Sequence, residues 1–209
     1  MKSKKFLPKI IKIEKNLDSI FLKKINNQYF NTDGNKENLK FILEIAKILK
    51  LKKNLLIKTL KKFKGLKYRQ ETVFKSKKLT IINDSKATTF SSSVSLLKSL
   101  TNVYWIVGGQ AKKGDKLLLS KKNCKNIKAY IFGANKNFFI NKIKKLMKYE
   151  SFIDLKSLVK KLSSEIKVDK NTAHKTILFS PSAASFDNFK NFEKRGEYFN
   201  QLIKKYIHA

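Results

Sequence analysis

Residues 79–88 read Leu-Thr-Ile-Ile-Asn-Asp-Ser-Lys-Ala-Thr. The β-favouring run Leu79–Ile82 stops abruptly at small, hydroxylated and charged residues, which reads as a buried strand emptying into a loop. The passage recurs downstream. Val103–Val107 is followed by Gly108-Gly109-Gln110-Ala111-Lys112, Ile127–Phe132 by Gly133-Ala134-Asn135-Lys136, and Thr176–Phe179 by Ser180-Pro181-Ser182-Ala183-Ala184-Ser185. Between these runs lie stretches of helical apolar spacing at 91–100, 135–148 and 154–166, and a last one runs over about 189–207. Strand alternating with helix predicts an α/β fold with a doubly wound, mostly parallel sheet and helices on both faces.

A Rossmann-like sheet of this kind receives ligands outside the carboxyl ends of its strands, so the loops after the runs are where a site is sought. Each loop taken singly is explained by helix caps and glycine turns. Together they bring ammonium groups, hydroxyls and free backbone N–H groups to one edge, a set suited to a small anionic ligand such as a dicarboxylate.

The first 66 residues follow another pattern. Phe6–Ile13, Ile20–Phe21 and Gln28–Phe30 are short apolar runs broken by Asn and Lys, and are expected to be strands of an incomplete sheet. Leu39, Ile42, Leu43, Ala46 and Leu49 then recur at helical spacing, Leu55, Leu56, Leu60 and Phe63 repeat the pattern, and Gly65 supplies a stop. A chain of 209 residues exceeds the ~150 residues of one ordinary domain. The expectation is therefore a remnant of a second α/β domain over 1–66 and a full domain over 67–209.

Net charge is +33, which invites a nucleic-acid or anionic-surface reading. Its make-up argues otherwise: of 48 basic residues only Arg69 and Arg195 are arginine, and the lysines are scattered along the whole chain. Recognition of bases or phosphates favours the planar arginine fork, whereas scattered lysines solvate surfaces. No apolar run is long enough to span a membrane. The basic N-terminus has Lys9 and Lys12 inside its apolar stretch and no small-residue cleavage site, so a cytoplasmic location is expected. Cys124, His174 and His208 show no metal-ligand spacing.

Four strings, GLKYRQE at 65–71, NDSKATT at 83–89, GGQAKKGD at 108–115 and SPSAASFDNFKNFEKRGEYF at 180–199, resemble in order and spacing the C-terminal, amino-acid-binding domain of the Mur ligases. Phe186, Phe189 and Phe192 ahead of Lys194-Arg195-Gly196 resemble the branch of the family that adds D-glutamate. Both arginines of this lysine-dominated chain fall inside these strings, which suggests a geometric requirement for the guanidinium.

The resemblance implies a ligase that uses ATP and Mg2+ to convert the carboxylate of UDP-N-acetylmuramoyl-L-alanine to an acyl phosphate, which the amine of D-glutamate then attacks. It implies nucleotide contacts at Asn38, Arg69 and Asp84. Lys86, Thr88, Lys112, Ser185, Phe186 and Phe192 resemble the D-glutamate pocket, with Lys86 the candidate catalytic residue. Tyr68 and Gly34 stand where the family usually has His, and Thr89 where it has Asn. None of the seven glycines begins a G-x-x-x-x-G-K-[ST] phosphate loop, so the grip on the triphosphate and the magnesium ligands are expected outside this chain, in a separate N-terminal half or an absent segment. A D-glutamate-binding fragment without catalysis and a lysine-rich nucleic-acid binder remain the competing classes.

Overall fold

The computed structural model describes residues 10–13 and 17–207. The chain divides into two compact units at Lys64/Gly65. The expected strand at Phe6–Ile13 falls partly outside the described residues, and its described part, residues 10–13, has no regular structure.

Every regular element among the described residues of the first unit is helical. It comprises α1 (Ser19–Ile25), a 3-10 turn at Gln28–Asn31, α2 (Asp33–Ile48) and α3 (Lys53–Lys62). The strands expected at Ile20–Phe21 and Gln28–Phe30 are thus helix and 3-10 turn. Asp18 caps α1 by accepting the Ile20 N–H, and Phe21 and Ile25, one helical turn apart, both enter the core. That i,i+4 pair outweighs the short apolar run. Asn27 stitches the unit together, accepting the Tyr29 N–H and donating at 2.7 Å to the carbonyls of both Leu60 and Phe63. Phe30, Leu39 and Leu60 complete the core around Phe21 and Ile25.

The second unit is built on a six-stranded sheet. Its strands are β1 (Glu71–Lys75), β2 (Leu79–Asn83), β3 (Val103–Gly108), β4 (Ile127–Phe132), β5 (Lys148–Ser151) and β6 (Lys175–Phe179), in the order β1-β2-β6-β3-β4-β5. Only β1 runs antiparallel. The helices are α4 (Phe90–Ser99), α5 (Lys136–Ile143), α6 (Leu155–Val168) and α7 (Phe192–Tyr206). Strand alternation sorts the core into two layers. Trp105, Val107, Ala129 and Ile131 face one side with Phe90, Leu97 and Phe139, while Ile106, Tyr130 and Phe132 face the other with Leu158, Leu162 and Phe199. Each Val, Leu, Ile or Phe among them, fully buried, contributes about 1.5–3 kcal/mol.

The doubly wound α/β fold agrees with the sequence reading, and two edge strands lie outside it. β1 is short and bulged between Thr72 and Phe74, and β5, Lys-Tyr-Glu-Ser, is largely exposed. Neither carries the apolar run that marks a central strand. Helix α5 accordingly ends at Ile143, short of residue 148, and α7 begins at Phe192 rather than 189 because Asn191 caps it by accepting the Lys194 N–H.

Candidate functional site

Parallel pairing of β2, β6, β3 and β4 sends the carboxyl ends of all four to one edge of the sheet. The loops that leave them are joined by main-chain bonds. The Gly108 N–H donates to the Pro181 carbonyl, and Gln110 and Ala184 exchange N–H···O bonds at 3.0 Å in both directions. The Ala111 N–H donates to the Asn135 side chain, drawing in the loop after β4. Gly109 is indispensable at this crossing: its φ is +126°, and a Cβ would stand 2.7 Å from the Ala184 carbonyl oxygen.

A buried guanidinium holds the other pair of loops. Arg195, on the second turn of α7 and fully buried, donates from Nη2 to the carbonyls of Ser85 and Ala183, from Nη1 to that of Ala184, and from Nε to the Ser85 hydroxyl. The carbonyls it grips lie immediately before Lys86 and Ser185. Desolvation lowers the Arg195 pKa to about 10, with the charge of Asp187 opposing the shift. Five N–H donors in a fixed plane make this arrangement accessible to arginine and not to lysine.

Around that clamp, Asn83 at the end of β2 donates to the Gly196 carbonyl and to the Asn200 side chain, tying the strand to α7. Ser85 donates its hydroxyl to the Phe192 carbonyl. Lys86 is half-buried, with Nζ 3.9 Å from the centre of the Phe192 ring, a cation–π contact that restrains its long side chain. Its own N–H donates to the Tyr68 carbonyl. Thr88 and Lys112 are exposed, and Ser185 is buried at 3% exposure. Phe186 is 71% exposed. The loops bearing Lys86, Thr88, Lys112 and Ser185 are therefore gathered at one edge, with the Phe192 ring beneath Lys86.

The residues expected to meet nucleotide are placed differently. Asn38 stands exposed on α2 of the first unit, and Arg69 is exposed in the segment before β1. Asp84 is buried: one carboxylate oxygen accepts the Gln70 N–H and the other the Ser180 hydroxyl at 2.8 Å. Ser180 continues to Ser93, which also meets Ser182, and the Trp105 indole donates to the Ser180 carbonyl. Burial raises the Asp84 pKa from 3.8 to about 7, against the opposing hydrogen bonds and the Arg69 charge. This serine relay is not legible in the sequence, because Ser93 is one of three consecutive serines and nothing local singles it out.

Asp115, at the end of the second glycine string, accepts the Phe90 N–H at 2.7 Å and so caps α4 from a distant loop. Among the described residues no group of three or more His, Cys, Asp or Glu is placed to hold a metal ion; His208 lies outside them. No described helix is long and apolar enough to cross a membrane. A cavity of about 530 Å³ between α1, α2 and α3 belongs to the first unit, and none of the candidate nucleotide or amino-acid contacts lines it.

No family model matches the chain. Curated proteins do. The UDP-N-acetylmuramoylalanine--D-glutamate ligase of Wolbachia sp. subsp. Brugia malayi is 36% identical over 176 residues, covering 84% of this chain and 35% of the relative. The ligase of the same name from Wolbachia pipientis wMel is 34% identical over 188 residues, 88% of this chain and 36% of that one. Its namesake from Francisella tularensis is 37% identical over 175 residues, 82% and 41%. The chain thus spans 35–41% of the length of these relatives. Among solved structures, UDP-N-acetylmuramate-alanine ligase MurC from Thermotoga maritima superposes with a TM-score of 0.53 at 12% identity, covering 83% of this chain and 38% of that chain, a likeness of fold.

Proposed function

Because this chain belongs to the Mur ligase family, as a C-terminal part, we propose that its second unit is the amino-acid-binding portion of a D-glutamate ligase acting on UDP-N-acetylmuramoyl-L-alanine. The observation that carries the reading is the pair of loops held by Arg195, which sets Lys86 and Ser185 at one sheet edge with the Lys112 loop bonded alongside.

The chemistry asked of these residues is orientation and charge neutralisation. Lys86 and Lys112 offer ammonium groups to the two carboxylates of glutamate, and Thr88 and Ser185 offer hydroxyl donors. A dicarboxylate fixed this way presents its amine to an acyl carbon; the nitrogen forms the amide, the carbon–oxygen bond to phosphate breaks, and the amine proton leaves to solvent. Holding the reactants together supplies much of such a rate. ATP would supply the phosphoryl group. Asn38 in the first unit and Arg69 in the second are each exposed, whereas both Asp84 oxygens already accept hydrogen bonds within the fold. Magnesium ligands are assigned to the part of the ligase beyond this chain.

The test is titration of the whole chain with D-glutamate, followed by NMR and calorimetry, with L-glutamate and L-lysine as comparators. Selective D-glutamate binding is expected. Lys86→Ala and Ser185→Ala should weaken it, the former by about 1.5–3 kcal/mol, roughly tenfold to a hundredfold, and substitution of an exposed lysine of α6, Lys160→Ala, should not. Mixing with a polypeptide that carries the phosphate loop should then yield D-glutamate-dependent phosphate release. Binding without ligation in that mixture would reduce the chain to a binding module, and preference for L-lysine would remove the D-glutamate assignment.

A further inference from the structure

Residues 111–121 form neither helix nor strand, so the position of Lys112 depends on what fastens its loop to the frame. Before Lys112, the exchange between Gln110 and Ala184 and the bond from Ala111 to Asn135 hold the chain. After it, Leu117 and Leu119 return to the core. Between these anchors stands Asp115, half-buried. Its N–H donates to the Lys112 carbonyl at 3.2 Å, closing a turn in which Gly114 takes φ +80°. Its carboxylate accepts the Phe90 N–H at 2.7 Å. One residue therefore grips Lys112 through its main chain and the start of α4 through its side chain.

The bond to Phe90 stands in for a local cap. Thr89 occupies the capping position of α4, yet its hydroxyl is engaged with those of Ser91 and Ser92 and makes no bond to the helix main chain. A carboxylate suits the task, because the first N–H groups of a helix carry partial positive charge and an ionised acceptor binds them strongly. Phe90 is a firm anchor: fully buried, its ring stacks on Phe138 and meets Phe139 and Trp105 edge-on. It follows Thr88 by two residues. Lys112 and Thr88, on loops that leave different strands, are thus tied to one another through Asp115 as well as through the sheet. An acidic group near an edge that binds a dicarboxylate repels that ligand, so its charge alone would work against the site.

We propose that Asp115 is a positioning residue of the amino-acid site, holding the Lys112 ammonium and the Thr88 hydroxyl at the separation at which both engage one bound dicarboxylate. This rests on the D-glutamate reading above.

The experiment measures D-glutamate affinity by calorimetry on the full chain carrying Asp115→Ala or Asp115→Asn, each alone and combined with Lys112→Ala or Lys86→Ala. Amide hydrogen exchange is followed on the same proteins without ligand. Asp115→Ala should weaken binding about tenfold or more, whereas the loss of a repelling charge by itself would tighten it. Asp115→Asn, whose amide oxygen still accepts from the helix, should stay within about threefold of the unaltered chain. With Lys112→Ala already present, Asp115→Ala should add little; with Lys86→Ala present its full effect should remain, a selective coupling that general loosening of the fold does not produce. In the exchange arm, Asp115→Ala should cost protection at the amides of Phe90 and residue 115 while β2 and β3 keep theirs. Should Asp115→Ala misfold, Asp115→Glu gives the same reading, since it keeps the charge and alters only the reach. Unchanged or tighter binding by Asp115→Ala, equal losses in both lysine backgrounds, or an unaltered Phe90 amide would overturn the proposal. Failure of the unaltered chain to bind D-glutamate removes the ligase reading and this proposal together; D-glutamate binding that ignores Asp115 removes the proposal alone.

Discussion

Two buried ionisable side chains organise the candidate site. Arg195 donates to three carbonyls and a hydroxyl, and Arg195→Lys would leave at least one of those buried acceptors without its donor. The expected cost is about 2–4 kcal/mol in urea unfolding, with the loops around Lys86 and Ser185 losing amide protection ahead of the rest of the sheet. A lysine variant with unchanged stability would show that the clamp is dispensable. Asp84 sets a pH dependence whose sign follows from burial. Its carboxyl holds its proton up to about pH 7 in the fold, against an ordinary value of 3.8. Below the ordinary value both folded and unfolded chains are protonated and the group is neutral to stability. As pH rises toward 7 the unfolded chain ionises first, so stability falls, and the loss is complete above about 7. Asp84→Asn should flatten this part of the profile, measured as the difference between the two proteins from pH 4 to 8. Parallel profiles would refute the assignment. Arg195 stood out in the sequence because arginine is rare here; the burial of Asp84 did not, since an aspartate in a polar loop reads as exposed.

At the scale of elements, α7 is set against the segment before β1 by one glycine. A Cβ on Gly196 would overlap the Tyr68 ring, and Tyr68 itself has φ of +61° while its carbonyl accepts the Lys86 N–H. Alanine is favoured over glycine in a helix by about 1 kcal/mol. Gly196→Ala should nevertheless destabilise by about 1–3 kcal/mol through overpacking. In the double variant with Tyr68→Ala the sign should reverse and the helix gain reappear, a coupling that a double-mutant cycle reads directly. Additive effects would mean that ring and helix are not in contact. Central strands were legible because β3 and β4 are apolar on both faces, as parallel strands buried between helices must be. β1 and β5 were not, since an edge strand half open to water has no such requirement. α1 was misread for a related reason: short apolar runs fit either period until an i,i+4 partner is seen to be buried.

For the molecule as a whole, charge is the dominant long-range term. With 48 basic and 15 acidic residues, repulsion among lysines outweighs the ion pairs, several of which are local i,i+3 contacts on exposed helix sides. Raising ionic strength from about 0.01 M to about 0.15 M shortens the screening length from about 30 Å to about 8 Å. The urea midpoint should therefore rise with sodium chloride; a fall would show that ion pairs dominate. The sequence alone determined the α/β alternation, the central strands, the family and the loops that the fold brings to one edge, because these rest on local periodicity and on short strings read in order. Tertiary structure decided which groups those loops present and which they consume. Asp84 is taken up by Ser180 and Gln70, Arg195 by main-chain carbonyls, and Lys86 is laid over Phe192. Such pairings join residues as far as 110 positions apart, and only the crossing of parallel strands brings their ends to one edge, where burial sets the charge each group can carry.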